Sequence, residues 1–284
     1  MVTLDYAQTT VHIGIPSPIK LLHITDTHIC RAYESEGEDK VRLALARSKN
    51  AFGEESEIER LLEEALAHAK SNGEKVVFTG DIYDFLSQAN FDYLDEKLRD
   101  LDYIYAAGNH DFCTAPGADK EDYPFKKQQW KLVAPHIKDN LQFASHLIGG
   151  VNLITIDDSY YQFTEGQLDM LRAEADKGYP MVLFMHTPLY TPLHAAEKLK
   201  LEPCASLVDA PDDVLAVYPA DRADYQKADE ATHRVVEYIK SEPLIKALFA
   251  GHTHRNFEEP LDNGIMQYTT GGTFFGQVRE IVIE

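Results

Sequence analysis

Five short stretches of the chain carry side chains that bind metal ions or move protons, and each follows an apolar run. They are Asp26-Thr27-His28, Gly80-Asp81-Ile82-Tyr83-Asp84, Gly108-Asn109-His110-Asp111, His186, and Gly251-His252-Thr253-His254. Taken singly, each has a bland reading: a Gly-Asp after a strand is a turn with a solvated carboxylate, and a lone His186 is a satisfied structural residue. Taken in order they form a nitrogen and oxygen ligand set without a thiolate, which suits Mn, Fe or Zn better than a closed cysteine site. The stretches offer about seven candidate ligands, too many for one ion and suited to two that share one. Such a site gathers positive charge and activates bound water.

To bring these stretches together the elements before them must end on one edge, as the strands of open α/β sheets do where ligands collect. Apolar runs at 19–25, 75–78, 103–107, 151–156, 181–185 and 245–250 predict buried strands. Helical spacing predicts helices over 58–69, 90–100, 123–136, 164–177 and 230–241, the first opened by a capping box at Ser56-Glu57-Ile58-Glu59. Residues 31–55 read as polar and irregular. The last two strands, 265–270 and 278–283, are expected to form an antiparallel pair across a Gly271-Gly272 turn. Between 187 and 229 the pattern weakens, punctuated by Pro188, Pro192, Pro203, Pro211 and Pro219. This is a long excursion that overhangs whatever His186 faces, or else a solvated surface meander.

The 284 residues, 44% hydrophobic and 26% charged, are expected to form one domain spanning 1–284. A formal net charge of -20 repels nucleic acid polymers and anionic membranes, so a phosphate-bearing substrate needs local positive charge. Cys30, Cys113 and Cys204 have no CxxC spacing and suit reduced thiols in the cytoplasm. The first ten residues lack a basic start and an apolar core, and no run is long enough for a membrane span. His12, His68, His136, His146 and His233 carry no motif; His194 lies in the excursion, where it could reach a substrate; and Arg255 is either a phosphate contact or a surface charge.

From Asp26 to His254 the motif string resembles the calcineurin-like metallophosphoesterase superfamily, matched in full and in order. The resemblance implies a four-layer α/β/β/α sandwich with two mixed β-sheets. It implies one metal on Asp26, His28, Asp81 and His254 and a second on Asp81, Asn109, His186 and His252, with Asp81 bridging. It also implies a metal-bridging hydroxide as nucleophile and His110 as general acid, held by Asp84. His28 and Asp84 differ from the purple acid phosphatase branch, which has Gly and Tyr there. The string is nearest to the branch of bacterial cyclic-nucleotide phosphodiesterases and related small phosphoesterases. The expectation is thus a dinuclear hydrolase of small phosphate esters, a nucleotide among the candidates. Its alternative is a weakly active or inactive scaffold of the same fold that binds protein partners.

Overall fold

A strand buried on both faces reads in sequence as a continuous apolar run, and the central strands of this chain are of that kind. The computed structural model describes residues 2–49 and 55–284. Its strands are β1 (Asp5–Val11), β2 (Ile19–Ile24), β3 (Lys75–Phe78), β4 (Tyr103–Tyr105), β5 (Phe143–Ile148), β6 (Val151–Ile156), β7 (Met181–Phe184), β8 (Ile245–Ala250), β9 (Phe257–Pro260), β10 (Met266–Thr269) and β11 (Gln277–Ile283). The helices are α1 (Glu38–Arg47), α2 (Glu55–Asn72), α3 (Gln88–Leu98), α4 (Tyr123–Val133), α5 (Glu165–Ala175), α6 (Pro192–Leu199), α7 (Asp212–Leu215), α8 (Ala220–Gln226) and α9 (Glu230–Ser241). One sheet has the order β1-β11-β2-β3-β4 and the other β5-β6-β7-β8-β10-β9. Both are mixed: β2, β3 and β4 run parallel, as do β6, β7, β8 and β10, while β11 is antiparallel to β2, β5 to β6 and β9 to β10.

Alternation along the central strands builds the layers. Leu21, Val77 and Ile104 point inward against Val182, Phe184 and Phe249 of the opposite sheet. Their neighbours Leu22, Val76 and Phe78 point outward onto Ile58, Leu62 and Ala65 of α2 and Leu94 of α3. On the far side Leu183 and Leu248 meet Leu168 and Leu171 of α5 and Val235 and Ile239 of α9. The result is the expected α/β/β/α sandwich. Burial of each such side chain is worth about 1.5–3 kcal/mol, so neither face of these strands tolerates a polar residue cheaply.

Four expectations are corrected. The strands β10 and β11 are not a hairpin: β10 pairs in parallel with β8, and β11 lies in the other sheet between β1 and β2. The chain crosses over through a single 3₁₀ turn, Thr273–Phe275. Gly271 is there for close packing, since a Cβ on it would fall 1.6 Å from Gln277 Oε1. Residues 38–47 are helical, yet only Ala44 of α1 is buried, so the segment shows no apolar stripe. Strands β1, β5 and β9 lie at sheet edges, where half-exposed polar sequences such as Phe-Glu-Glu-Pro give no strand signal. The excursion is neither structureless nor a meander. It folds as α6, α7 and α8 around Ala195, Leu207, Leu215 and Tyr218. Its prolines mark helix starts, Pro192 in the first turn of α6 and Pro211 and Pro219 directly before α7 and α8. The helix over 123–136 ends earlier, at Val133, followed by a 3₁₀ turn at Ala134–His136. The expected capping box at Ser56 rests on a side chain outside those described.

Candidate metal centre

Every candidate residue stands where a buried strand gives out. Asp26 and His28 follow β2, Asp81 and Asp84 follow β3, Asn109 and His110 follow β4, His186 follows β7, and His252 and His254 follow β8. The parallel strands of both sheets end on neighbouring edges, and the loops meet there: His186 Nδ1 donates to the Thr79 carbonyl oxygen at 2.6 Å, from one sheet to the other. Neighbouring loops touch backbone to backbone, since a Cβ on Gly80 would fall 2.1 Å from the Gly108 nitrogen. Five of the seven candidate ligands hold a left-handed backbone, with φ of 49° at Asp26, 54° at His28, 51° at Asp81, 63° at His252 and 54° at His254. A non-glycine residue in that region costs about 1–3 kcal/mol and persists only where its surroundings over-determine it, as they do at functional sites.

The side chains converge in two groups. In the first, His254 Nε2 lies 3.1 Å from Asp26 Oδ1, and His28 Nε2 lies 3.3 Å from His254 Nε2 and 3.7 Å from Asp26 Oδ1. In the second, His186 Nε2 lies 3.2 Å from Asn109 Oδ1, 3.2 Å from Asp81 Oδ2 and 3.0 Å from His252 Nδ1. Asp81 joins them, because the same Oδ2 also lies 3.8 Å from His28 Nε2. Its other oxygen is committed, accepting the His110 backbone N–H at 2.7 Å.

Several of the other polar atoms of these residues are tied down. Asp26 Oδ2 accepts Thr25 Oγ1 at 2.7 Å and the His252 N–H at 2.8 Å, His28 Nδ1 faces Asp84 Oδ1 at 3.1 Å, and His252 Nε2 faces the Tyr161 hydroxyl at 2.9 Å. Asp26 Oδ1, by contrast, is buried and faces only the Nε2 atoms of His254 and His28. Partners on the far atoms, with free lone pairs meeting at one point, are what orient metal ligands. The residues therefore fit a pair of divalent ions.

Burial would raise the carboxyl groups of Asp26 and Asp81. The imidazoles of His254 and His28 around Asp26, and of His186 and His110 around Asp81, outweigh it and hold both well below the usual carboxylate range. Both are anionic, as ligation requires. His110 follows the same logic in reverse: burial lowers it, but the charges of Asp81 and Asp84 push it up to about 10.

Asp84 has a wider role than expected. Besides the 3.0 Å ion pair with His110 Nδ1 it holds His28, and Arg47 grips it through Nε at 2.5 Å and Nη2 at 2.9 Å. Nothing in the sequence marks Arg47, which lies in the stretch read as irregular. Two other supports went unread. Asp158 accepts the N–H groups of His186 at 2.8 Å and Thr187 at 2.7 Å. It closes β6 as the other acids close their strands, so the same strand-ending signal could have found it. Asp111, inside a motif already noted, accepts the N–H groups of Gly108 at 2.8 Å and Asp81 at 3.2 Å and the Tyr105 hydroxyl at 2.7 Å.

Above the site is a cavity of about 330 Å³ whose wall includes Asn109, His110, His252 and His254. Three cations also line it: Arg47 from α1, and Lys198 and Arg222 from the excursion. His194 does not reach it, being buried with Nδ1 at 3.0 Å from Glu259 Oε1. His12, His68, His136, His146 and His233 each pair with a carboxylate outside the site. Arg255 is exposed beside His254, and Cys30, Cys113 and Cys204 are buried free thiols. Among the described residues no helix is long and apolar enough to cross a membrane.

A family model described as calcineurin-like phosphoesterase matches residues 19–256. No curated protein matches the chain. The fold is similar to a dimetal phosphatase from Danio rerio, at 16% identity over 90% of this chain and 88% of that one with a TM-score of 0.50. A weaker likeness, TM-score 0.48 at 11% identity, is to 5′-nucleotidase from Candida albicans, where 96% of this chain matches 47% of that one. At 16% identity the first likeness speaks for the fold alone.

Proposed function

This chain belongs to the calcineurin-like phosphoesterase family and is a metal-dependent phosphoesterase; from that premise we propose a dinuclear hydrolase of small phosphate esters and assign its residues. One ion is held by Asp26, His28, Asp81 and His254, the other by Asp81, Asn109, His186 and His252. The observation that carries this is Asp81 Oδ2, which faces His28 Nε2 at 3.8 Å and His186 Nε2 at 3.2 Å while Oδ1 is engaged elsewhere. The oxygen and nitrogen donors favour Mn, Fe or Zn. When bound, the ions supply positive charge for the phosphoryl oxygens and acidify the attacking water.

The chain's own residues do the rest. His110 also lies close to His28 and Asp81, but its Nδ1 is turned to Asp84, at 2.8 Å from the carbonyl oxygen and 3.0 Å from Oδ1. An acceptor at Nδ1 fixes the tautomer and leaves Nε2 toward the cavity, where it donates a proton to the departing oxygen. Asp84, charged and gripped by Arg47, keeps that imidazole protonated. Arg222 adds positive potential to a chain of net charge -20 and draws a phosphate in, while Lys198 is paired with Glu202 at 2.8 Å on the same wall. We treat 1–284 as one domain whose excursion overhangs the site. The buried free thiols suit a reducing compartment, and we assign the protein to the cytoplasm.

Metal content tests the assignment. Protein reconstituted with Mn, Fe or Zn holds two ions per chain by elemental analysis and hydrolyses a nitrophenyl phosphate ester. Asp81→Asn lowers occupancy at both positions and abolishes turnover, since it removes the shared ligand and half of the anionic ligand charge. Two ions and full activity in that variant would overturn the reading.

A further inference from the structure

A second and larger cavity, of about 620 Å³, adjoins the first, and Glu121 lines both. Its size suits a small organic ligand, for which pockets run about 300–1,000 Å³. Around Glu121 the two cavities share one wall: Tyr161 and Arg222 face the metal site, while Tyr160 and Tyr225 line the larger space, with the Tyr161 and Tyr225 rings 6.2 Å apart.

Two polar atoms on this wall lack partners. Glu121 Oε2 is buried without a hydrogen bond, and so is the hydroxyl of Tyr160, a residue only 4% exposed. A buried polar group left unsatisfied costs about 1–3 kcal/mol, so such groups are uncommon unless something else supplies the bond. One is an acceptor and the other an O–H, a combination that serves a group able both to donate and to accept. The backbone agrees, since Tyr160 and Tyr161 both sit at φ 64°, a strained conformation that turns consecutive rings toward two different cavities. Beyond them Tyr225 and Trp130 offer flat apolar surface.

We propose that this cavity is the subsite for the organic part of the substrate: the ester is one whose alcohol carries a flat ring and at least one hydroxyl or amino group, which donates to Glu121 and accepts from Tyr160. The phosphate then lies over the metal ligands, with the leaving oxygen between His110 and the seam. This rests on the reading of the metal centre given above. It adds a substrate-binding residue, Glu121, that no motif in the chain marks.

Trp130 is the chain's one tryptophan and lines this cavity, so its fluorescence reports occupancy independently of turnover. The experiment titrates the metal-loaded full chain with adenosine 5′-monophosphate, which carries ring, hydroxyls and amine, and with inorganic phosphate. The nucleotide is expected to change Trp130 emission and to bind at least tenfold more tightly than phosphate. Glu121→Gln and Tyr225→Ala, each checked for native circular dichroism, are expected to reduce that preference by about tenfold, the loss of one charge-assisted hydrogen bond or one stacking surface. A nucleotide that binds no better than phosphate, or a preference that survives in both variants, would overturn the subsite. The two readings fail separately: nucleotide binding without two-ion occupancy or nitrophenyl ester turnover sinks the metal centre, and turnover without a nucleotide preference sinks only the subsite.

Discussion

At the scale of single residues the site depends on carboxylates that serve more than one partner. Asp81 divides its oxygens between the His110 backbone and the two ligand groups, and Asp84 divides itself between His28, His110 and Arg47. His110 can be separated from the ligands by the proton it supplies. Its removal leaves the ligands in place, so attack survives and departure suffers. An alkoxide leaves poorly without a proton, whereas nitrophenolate leaves readily. We expect His110→Ala to cost about 10²- to 10⁴-fold in kcat on an alkyl ester and much less on the nitrophenyl analogue, measured at matched metal occupancy. Asp84→Asn shares that divergence in weaker form, and because Asp84 also orients His28 it lowers metal affinity too. Equal losses of kcat on the two esters would remove the general-acid role from His110.

At the scale of elements, helices outside the motif string bring cationic side chains to the site, Arg47 paired with Asp84 and Lys198 with Glu202. Arg47 ends α1, Lys198 lies on α6 and Arg222 on α8, and all three reach the cavity above the ligands. The excursion packs around a hydrophobic cluster of its own, whose members are not ligands. Replacing residues 195–226 by a short linker should therefore leave two ions bound and the strand-end loops intact. It removes Lys198, Arg222 and Tyr225, so rates among phosphate esters should change unequally, most for those with the largest organic part. Rate profiles over a panel of alkyl, aryl and nucleoside esters check this. A uniform loss across the panel with metals retained would mean that the excursion contributes to the chemistry itself.

At the scale of the whole molecule the two sheets are joined near the site by a buried imidazole. His23 on β2 faces Thr79 Oγ1 at 2.7 Å after β3 and Thr270 Oγ1 at 2.8 Å after β10, packed edge-on against Phe184 and Phe249. Burial, aided by the buried Arg279 guanidinium, pushes it down to about 3. The unfolded chain takes up this proton near pH 6.5 and the folded chain does not, so stability falls as pH drops from about 6.5 toward 3, by about 1.4 kcal/mol per pH unit inside that window. Above it the group contributes no pH dependence. Urea denaturation of metal-free protein at pH 7.5, 6 and 5 should show this loss, and His23→Gln should make the profile shallower over the same range. An unchanged slope would mean that His23 is not held neutral.

What the sequence determined by itself is chemical and local. Asp26, His28, Asp81, Asn109, His110, His186, His252 and His254 stand out because each ends an apolar run, and in a sandwich whose central strands are buried on both faces such runs admit few other readings. The same burial made the central strands and the helices α2, α5 and α9 legible. What only the tertiary structure decided lacks a local signature. Edge strands and α1 bury too little to show a period, and the excursion's prolines read as breaks although they start helices. The separation of β10 from β11 depends on which sheet has room for a strand, and no local pattern encodes that. Arg47, Asp158 and Tyr161 matter through partners far away in sequence, and a single charged or aromatic residue looks the same on a solvated face as beside a ligand. The candidate ligands are marked by residue type at a strand end, whereas the supports and walls around them are fixed by contacts that exist only once the two sheets have met.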